Sequence, residues 1–447
     1  MKKLLFVLPL VAGASWASTT YYAGSQTQPA YDKLISQLNQ LKPLVVESVA
    51  YEAGFLNSTA ITSVKLSSSP NAEVLFTLKH EINHSALSVD DGTPRVAGST
   101  IHTTLLMDET NEAGQRVLQK FNNQQPFELN TYLGYNGEVT NELILSSLTQ
   151  ELDGSRFQFD GGNFQFHSTD SGATTGSGQL GELTVNFRDG QMMSISPMHA
   201  ALNLQRLSDG IFSGTSLFEM PMVTLDPANG NQPILFEGVK LASDTSLSGE
   251  IMQSSVEFEV AAIDAPLDIN SASFSITSDG STLAGFEQYL ALVEQAESSL
   301  DMDTDGAMVF LALQDAYKAL FEPGFSMGMN MAITNSGGVI EAKSDVFFKG
   351  DGSESGYEHM SSVRDVMAAL DLGLHLKADD GAVQATPLAM FSMHPLYDEY
   401  VVFDGAAHTV NITVADLFMD INGNAQSLDD KYSEVLNMPL PNFTEAF

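Results

Sequence analysis

The sequence predicts a mainly β (α+β) fold: a large, curved antiparallel sheet system with a few peripheral helices and an N-terminal signal or anchor helix. Apolar residues alternate at period two along most of the chain, as they do when strands bury one face. Polar turns containing Gly, Asp or Asn separate these runs. Helical spacing is confined to a few segments, so the helices are expected to pack around the sheet.

The first 24 residues predict export from the cytoplasm. Lys2 and Lys3 precede an apolar run at 4–14, and Ser15-Trp16-Ala17 supplies the small residues that a signal peptidase requires. The apolar character continues to residue 24, which gives about the twenty residues of a spanning helix. We therefore expect either a cleaved signal peptide or an uncleaved anchor at 1–24, with the body facing the periplasm, soluble or tethered to the inner membrane.

Residues 25–278 are predicted to form an N-terminal, mainly antiparallel β region. A helix is expected at 31–41 and another at 109–122, with strands between and after them. Asp160-Gly161-Gly162 predicts a hairpin joining strands at 157–159 and 164–166. The remaining strands of this region are expected at 45–55, 74–84, 127–129, 183–187, 234–241, 256–260 and 272–276.

Residues 279–447 are predicted to form a helical pair followed by a C-terminal β region. The helices are expected at 283–297 and 307–321, where apolar residues recur at helical spacing. The strands are expected at 327–333, 346–348, 370–376, 401–403 and 410–414.

The charge and the cysteine count exclude several classes of protein. Asp and Glu number 56 against 19 Lys and Arg, a formal net charge of −37. Such a field repels phosphate backbones and anionic headgroups, so nucleic-acid binding is excluded. Since the chain has no cysteine, disulfides, thiol nucleophiles and Cys-ligated metal sites are excluded too.

The segment His80-Glu81-Ile82-Asn83-His84 matches the H-E-x-x-H signature of zinc proteases. That chemistry needs a helix, on which both imidazoles face one ion; His102 and Glu109 are the nearby candidates for a third ligand. Here the surrounding residues alternate at period two, and on a strand His80 and His84 would stand roughly 13 Å apart. We expect no metal site, and a zinc metallohydrolase using His80 and His84 remains the alternative.

A second motif, Gly324-Phe325-Ser326-Met327-Gly328, fits G-x-S-x-G. A nucleophile elbow has a strand before the serine and a helix after it, whereas here the predicted order is reversed. We therefore expect a turn from helix to strand and no catalytic serine.

A third motif resembles the first half of a calcium loop. Asp301, Asp303 and Asp305 alternate before Gly306, but Ala312 occupies the position of the bidentate carboxylate. Weak calcium binding is one interpretation, and an acidic N-terminus of the helix at 307–321 is the other.

Several landmarks then resemble one family. Residues 51–58 match a motif that begins with Tyr-x-x-Gly, continues with two apolar residues and ends with x-Ser. The block that is most specific to the family lies at 126–137. The other landmarks, in chain order, are Ile82-Asn83-His84, Thr103-Thr104, 159–164, Ile421-Asn422-Gly423 and Leu428. The chain resembles the YdgA-like family of uncharacterised Gram-negative envelope proteins. This resemblance implies an envelope protein of unknown activity and supplies no catalytic residues.

We predict a protein without enzymatic activity, without a cofactor, and in contact with the membrane only through an uncleaved N-terminus. Its leading specific role is binding a lipid or other hydrophobic ligand; the alternative is a structural or partner-binding envelope scaffold. Binding is expected on the apolar face of strands such as 327–331 and 157–166, where Met and Phe alternate. The histidines at 167, 199, 359, 375, 394 and 408 are predicted to be structural.

Overall fold

A computed structural model describes residue 35 and residues 45–65, 74–84, 88–90, 93–95, 98–106, 124–134, 136–208, 211–228, 230–265, 268–299, 322–353, 356, 359–387, 389–390 and 400–439. Contacts divide the chain into two compact units, Met1–Asn231 and Gln232–Phe447. The segment 1–24 and the predicted helices at 109–122 and 307–321 lie outside the described residues, and of the helix at 31–41 only Ile35, which is helical, is described. The predicted division at residues 24 and 278 stays a prediction.

The unit Met1–Asn231 is built from antiparallel strands of 3 to 16 residues. They are β1 (Val45–Glu52), β2 (Asn57–Lys65), β3 (Val74–Asn83), β4 (Ser88–Asp90), β5 (Thr93–Arg95), β6 (Ser99–Leu105), β7 (Phe127–Leu133), β8 (Val139–Leu145), β9 (Leu148–Leu152), β10 (Ser155–Phe159), β11 (Gly162–Ser168), β12 (Ala173–Leu180), β13 (Leu183–Asn186), β14 (Met192–Ile195), β15 (Met198–Ser208) and β16 (Ile211–Asp226).

Most neighbours in this sheet are also neighbours in sequence. The pairing runs β1-β2-β3-β6-β7-β8-β11-β12-β15-β16, and every pair is antiparallel. β4 and β5 form a separate two-stranded ribbon. These pairings confirm the predicted antiparallel sheet. The strands are antiparallel because short polar connections let a strand fold back on the one before it.

The predicted hairpin at 157–166 is wrong. β10 pairs with β9 and β13, whereas β11 pairs with β8 and β12. β10 and β11 therefore do not pair with each other, and the chain passes from one to the other without reversing direction. Asp160 N donates to Glu182 O at 3.0 Å, and Gly181 N donates to Gly161 O at 2.6 Å. Gly161 has a φ of +84°. These bonds fix Asp160 and Gly161 as an irregular step between β10 and β11. Irregularities of this kind bend a sheet.

The buried centre of this unit lies on β2, β3 and β6. Ala60, Ile82 and Ile101 form one cluster, against which Ile35, Tyr51 and Leu133 pack. These three central side chains are at most 4% exposed. They share one face of adjacent strands because each strand places alternate residues on that face.

The unit Gln232–Phe447 combines strands of 2 to 15 residues with four described helices. The strands are β17 (Ile234–Ser248), β18 (Ile251–Asp264), β19 (Ser271–Thr282), β20 (Ser326–Asn335), β21 (Gly338–Phe348), β22 (Leu370–Asp379), β23 (Val402–Phe403), β24 (Ala407–Ala415), β25 (Phe418–Ile421) and β26 (Asn424–Ser427). The helices are α1 (Leu283–Ser299), α2 (Val363–Ala369), α3 (Asp380–Gln384) and α4 (Leu428–Leu436). α1 confirms the helix predicted at 283–297.

The main sheet of this unit is an antiparallel series in the order β17-β18-β19-β20-β21-β22-β24-β25-β26. β23 pairs with the beginning of β24. β17 extends seven residues beyond the end predicted at 241, because the Ser, Thr and Asp residues that weaken the apolar pattern lie within the strand.

Polar bonds cap helix α2 and join it to α4. Ser362 and Asp365 form a capping box at the start of α2, which satisfies backbone donors that the first helical turn leaves free. Arg364 in α2 donates to both carboxylate oxygens of Asp429 in α4. Within the described part of the chain, no helix has the length and hydropathy needed to cross a bilayer.

Candidate functional site

The first four residues of the H-E-x-x-H segment lie on strand β3, as its period-two pattern predicts, and His84 follows the strand directly. His80 is buried, and His84, at the end of the strand, is 0% exposed. Glu81 pairs across the sheet with Thr59 and His102, and its carboxylate accepts a hydrogen bond from Lys79 Nζ at 2.7 Å. Because neighbouring residues of a strand face opposite sides, Glu81 and the histidines do not converge as they would on a helix.

Both ring nitrogens of His80 are hydrogen-bonded to threonine hydroxyls. Nε2 lies 2.8 Å from Thr62 Oγ1 on β2, and Nδ1 lies 2.8 Å from Thr103 Oγ1 on β6. Burial lowers the pKa of His80 from 6.5 to about 4, because the charged imidazolium would lose its hydration. The ring is therefore neutral near pH 7.

His84 has the same arrangement with serines in place of threonines. Nε2 lies 2.8 Å from Ser58 Oγ and Nδ1 lies 3.5 Å from Ser99 Oγ. Ser58 Oγ in turn accepts a hydrogen bond from Gly54 N at 3.1 Å. Burial lowers the pKa of His84 as well. We call these two imidazoles and their four hydroxyl partners the imidazole–hydroxyl ladder.

The imidazole–hydroxyl ladder contains one pair that superficially resembles a nucleophile and its base. Ser58 Oγ and His84 Nε2 are within reach for proton transfer. The other ring nitrogen lies 3.5 Å from the hydroxyl of Ser99, and the ring of His84 is 0% exposed, so solvent does not reach this pair in the folded protein. The ladder satisfies buried polar groups, which would otherwise be costly to desolvate.

His102 is the one further candidate ligand whose position is described, and it lies opposite Glu81 and not beside the two histidines. His102 pairs with Glu81 and Asn130, and its Nδ1 lies 2.8 Å from Asn130 Oδ1. Glu109 lies outside the described residues, as do Asp301, Asp303 and Asp305 of the calcium-loop motif. Among the residues whose structure is described, no group of three or more His, Asp or Glu side chains is arranged to hold a metal ion. The predictions about zinc and calcium stay predictions.

Ser326 of the G-x-S-x-G motif is the first residue of β20. Phe325 before it is buried, and Met327 and Gly328 after it continue the strand. The prediction that a strand follows this serine is confirmed, and it contradicts the geometry of a nucleophile elbow.

The main apolar feature of the unit Gln232–Phe447 is one side of its sheet. The strand registers align three rows of side chains across the seven strands β17 to β22 and β24, and we call this surface the apolar face. The first row is Leu241, Phe258, Phe274, Met331, Ala342, Leu376 and Val410; the second is Ser243, Val256, Ile276, Met329, Ser344, Leu374 and Ile412; the third is Thr245, Ser254, Ser278, Met327, Val346, Leu372 and Val414.

Much of the apolar face is in contact with solvent. Nine of its large apolar side chains are 36–46% exposed: Leu241, Val256, Phe258, Ile276, Met327, Met329, Met331, Leu374 and Leu376. Antiparallel sheets usually pack their apolar side against a core. An exposed apolar surface of this extent is a feature of binding sites.

The rows of the apolar face carry no charged residue. The intervening residues of the same strands, which point to the other side of the sheet, include Lys240, Glu257, Glu259, Lys343 and Lys377. The hydroxyls of Ser254 and Ser278, within the third row, lie 2.7 Å apart and bond to each other. The two sides of the sheet are therefore chemically distinct.

Sequence reasoning found part of this surface and missed the rest. The alternation of Met327, Met329 and Met331 predicted an apolar face on β20, and all three are exposed. The contributions of β17, β18 and β22 were not found. Their alternation was visible in the sequence, but the registers that align the strands are not.

The apolar side of β11 in the first unit is different. Phe164 and Phe166 stack with ring centroids 6.1 Å apart. They lie over Gly178 and Gly176 of β12, where an added Cβ would meet the rings at 2.1 and 2.6 Å. The two rings are half-buried, because they cover the space that these glycines leave open.

Together the described residues define a mainly antiparallel β protein with a partly solvent-exposed apolar sheet face and with buried histidines held by hydroxyls. The chain belongs to the family described as bacterial protein of unknown function (DUF945), whose model matches residues 1–392. It is similar to Protein YdgA of Escherichia coli (strain K12), with 24% identity over 285 residues. That match covers 58% of this chain and 55% of the relative, so it spans about half of the relative's length. No solved structure matches.

Proposed function

We propose that the protein binds lipid acyl chains on the apolar face of the unit Gln232–Phe447. The observation that carries the proposal is the alignment of three uncharged rows across seven strands, with solvent-exposed Met, Leu, Ile, Val and Phe side chains. Burying such surface releases about 25 cal/mol per Å² of apolar area, less the cost of ordering the ligand.

The dimensions of the apolar face suit an acyl chain. Seven strands have six spacings of about 4.8 Å, so a row is about 29 Å long. The hydrocarbon thickness of one bilayer leaflet, half of about 30 Å, is about 15 Å. One acyl chain therefore fits within a row, lying across the strands.

The chemistry of the rows favours lipid over a protein partner. Protein interfaces concentrate their binding energy in Tyr, Trp and Arg, which combine apolar contact with hydrogen bonding. The rows contain none of these residues. Their side chains are aliphatic, thioether or phenyl groups, with five small hydroxyls, and methionine adapts its shape to an irregular apolar ligand.

The proposal includes a location and excludes an enzymatic role. The basic, apolar and small-residue pattern of 2–17 supports a periplasm-facing protein, cleaved or anchored. The buried, hydroxyl-bonded state of His80 and His84 supports a structural role for the motif that most resembles a catalytic signature.

The test compares Met329→Asp with Asn330→Asp in delipidated protein, using a fluorescent fatty acid as the probe. Met329 lies in the second row, whereas Asn330 is the next residue and faces the other side of β20. We expect Met329→Asp to weaken probe binding at least about tenfold, because an apolar chain cannot solvate a carboxylate, and Asn330→Asp to change it less than about twofold.

Absence of saturable binding by the wild type would refute the proposal, as would an equal loss in both variants. Native mass spectrometry of protein isolated under mild conditions supplies a second readout. A mass increase matching a lipid supports the proposal. A dimer mass without lipid, abolished by Met329→Asp, would assign the apolar face to a second copy of the chain.

A further inference from the structure

The three methionines of the apolar face occupy its centre. β20 is the fourth of the seven strands, and it contributes Met331 to the first row, Met329 to the second and Met327 to the third. These side chains are 41%, 43% and 41% exposed. Every row of the proposed acyl-binding surface therefore has one solvent-accessible thioether at its middle position.

Thioethers are the oxidisable groups of such a surface. A peroxide transfers one oxygen to Sδ: the S–O bond forms, the O–O bond breaks, sulfur is oxidised by two electrons, and hydrogen peroxide leaves as water. The product, methionine sulfoxide, is polar, and reductases that act on it restore the thioether. The Phe, Leu, Ile and Val side chains of the rows do not undergo this reaction.

Oxidation at this position would interrupt all three rows at once. A sulfoxide bonded to water at each central position leaves three strands on either side of β20. Three strands have two spacings, so each remaining half-row is about 10 Å long. That is shorter than the acyl chain of one leaflet, about 15 Å. A bound chain would then have to cover a sulfoxide and remove its water without replacing the hydrogen bonds.

We propose that Met327, Met329 and Met331 are a reversible oxidation site that releases the acyl ligand when peroxide or a similar two-electron oxidant reaches the apolar face. This inference rests on the proposed function. The oxidation itself is measurable without any ligand.

The chain offers matched control methionines. Met222, Met390 and Met438 are exposed by 43%, 75% and 53% but lie outside the three rows. Met198 and Met252 are buried, at 8% and 7% exposure, and should react slowly. Leucine is close to methionine in volume and apolarity but cannot form a sulfoxide, so Met→Leu substitution keeps the face apolar.

The experiment treats three full-length proteins with hydrogen peroxide: wild type, a triple variant M327L/M329L/M331L and a triple variant M222L/M390L/M438L. Peptide mass spectrometry maps the added oxygens, and the fluorescent fatty acid measures binding before and after treatment. We expect oxidation to weaken binding at least about tenfold in the wild type and in the second variant. In M327L/M329L/M331L, peroxide treatment should change the affinity for the probe less than about twofold. A methionine sulfoxide reductase should restore probe binding by the oxidised wild type.

The outcomes separate this inference from the function on which it rests. If untreated wild type does not bind the probe, the proposed function fails. If untreated protein binds but the three sulfoxides form without loss of affinity, or if M327L/M329L/M331L loses affinity as the wild type does, the oxidation site is refuted while the binding function stands. Slower oxidation of these methionines than of Met198 and Met252 would also contradict it.

Discussion

His84 Nε2 and Ser58 Oγ lie 2.8 Å apart in the imidazole–hydroxyl ladder, joining the end of β3 to the start of β2 around a side chain that is 0% exposed. Thr62 and Thr103 hold His80 in the same way, one hydroxyl from each flanking strand. The segment that most resembles a catalytic signature is thus built into the packing of the sheet. Its measurable consequences concern stability.

The first prediction is a loss of stability in acid. The pKa of His80 is about 4 in the folded protein and 6.5 for a solvated imidazole of the unfolded chain, so the unfolded chain binds the extra proton between these values. The contribution of His80 to the free energy of unfolding is fully present above pH 6.5 and is lost as the pH falls towards 4. The total loss from this residue is roughly 3 kcal/mol. The lowered pKa of His84 adds a loss of the same sign.

Urea unfolding between pH 7.5 and pH 4, in wild type and His80→Asn, measures this effect. We expect His80→Asn to be less stable at pH 7.5 but to have a flatter pH profile. His199 is exposed, and His199→Asn is the control that should keep the wild-type slope. Parallel profiles for wild type and His80→Asn would contradict the prediction.

The second prediction is that the protein contains no stoichiometric zinc. On β3 the Glu81 carboxylate bonds Lys79, away from the buried rings of His80 and His84. Metal analysis of protein purified without chelator should give far less than one zinc per chain, and EDTA should leave the melting temperature unchanged. Stoichiometric zinc that is lost in Glu81→Gln or His80→Ala would overturn the structural role of the ladder.

The third prediction concerns the contact between Phe166 and Gly176. A Cβ at residue 176 would lie 2.6 Å from Phe166 Cδ1, so Gly176→Ala must displace the ring and should destabilise the protein by about 1–3 kcal/mol. In a Phe166→Leu background the same change should cost less, because the ring is gone. A double-mutant cycle by chemical denaturation measures this coupling, and additive effects would show that the ring does not constrain the glycine.

The fourth prediction is export directed by residues 1–40. A reporter active only outside the cytoplasm, fused after residue 40, should be active, and replacing Leu5 and Val7 by charged residues should abolish its activity. The intact mass of the mature protein then distinguishes cleavage after Ala17 from retention as an anchor. An inactive reporter with the natural sequence would refute the proposed location.

The sequence by itself determined the fold class, the strand character of β3 and β20, and helix α1. These are properties of local periodicity, because alternation at period two places a residue on one side of a strand wherever its partners lie. It also identified the family, since the landmark segments are contiguous stretches of sequence.

The tertiary structure decided which residues meet. Asp160-Gly161 has the composition of a hairpin turn. Asp160 N, however, donates to Glu182 O and Gly181 N donates to Gly161 O, so the two residues form an irregular step between β10 and β11, which follow each other without a reversal of the chain. Met329 lies beside Ile276 in the second row, and Leu374 lies two strands away in that row, only because the registers of four strands align them. Register depends on pairing between residues far apart in sequence, so neither the apolar face nor the hydroxyl partners of His80 and His84 follow from local pattern alone.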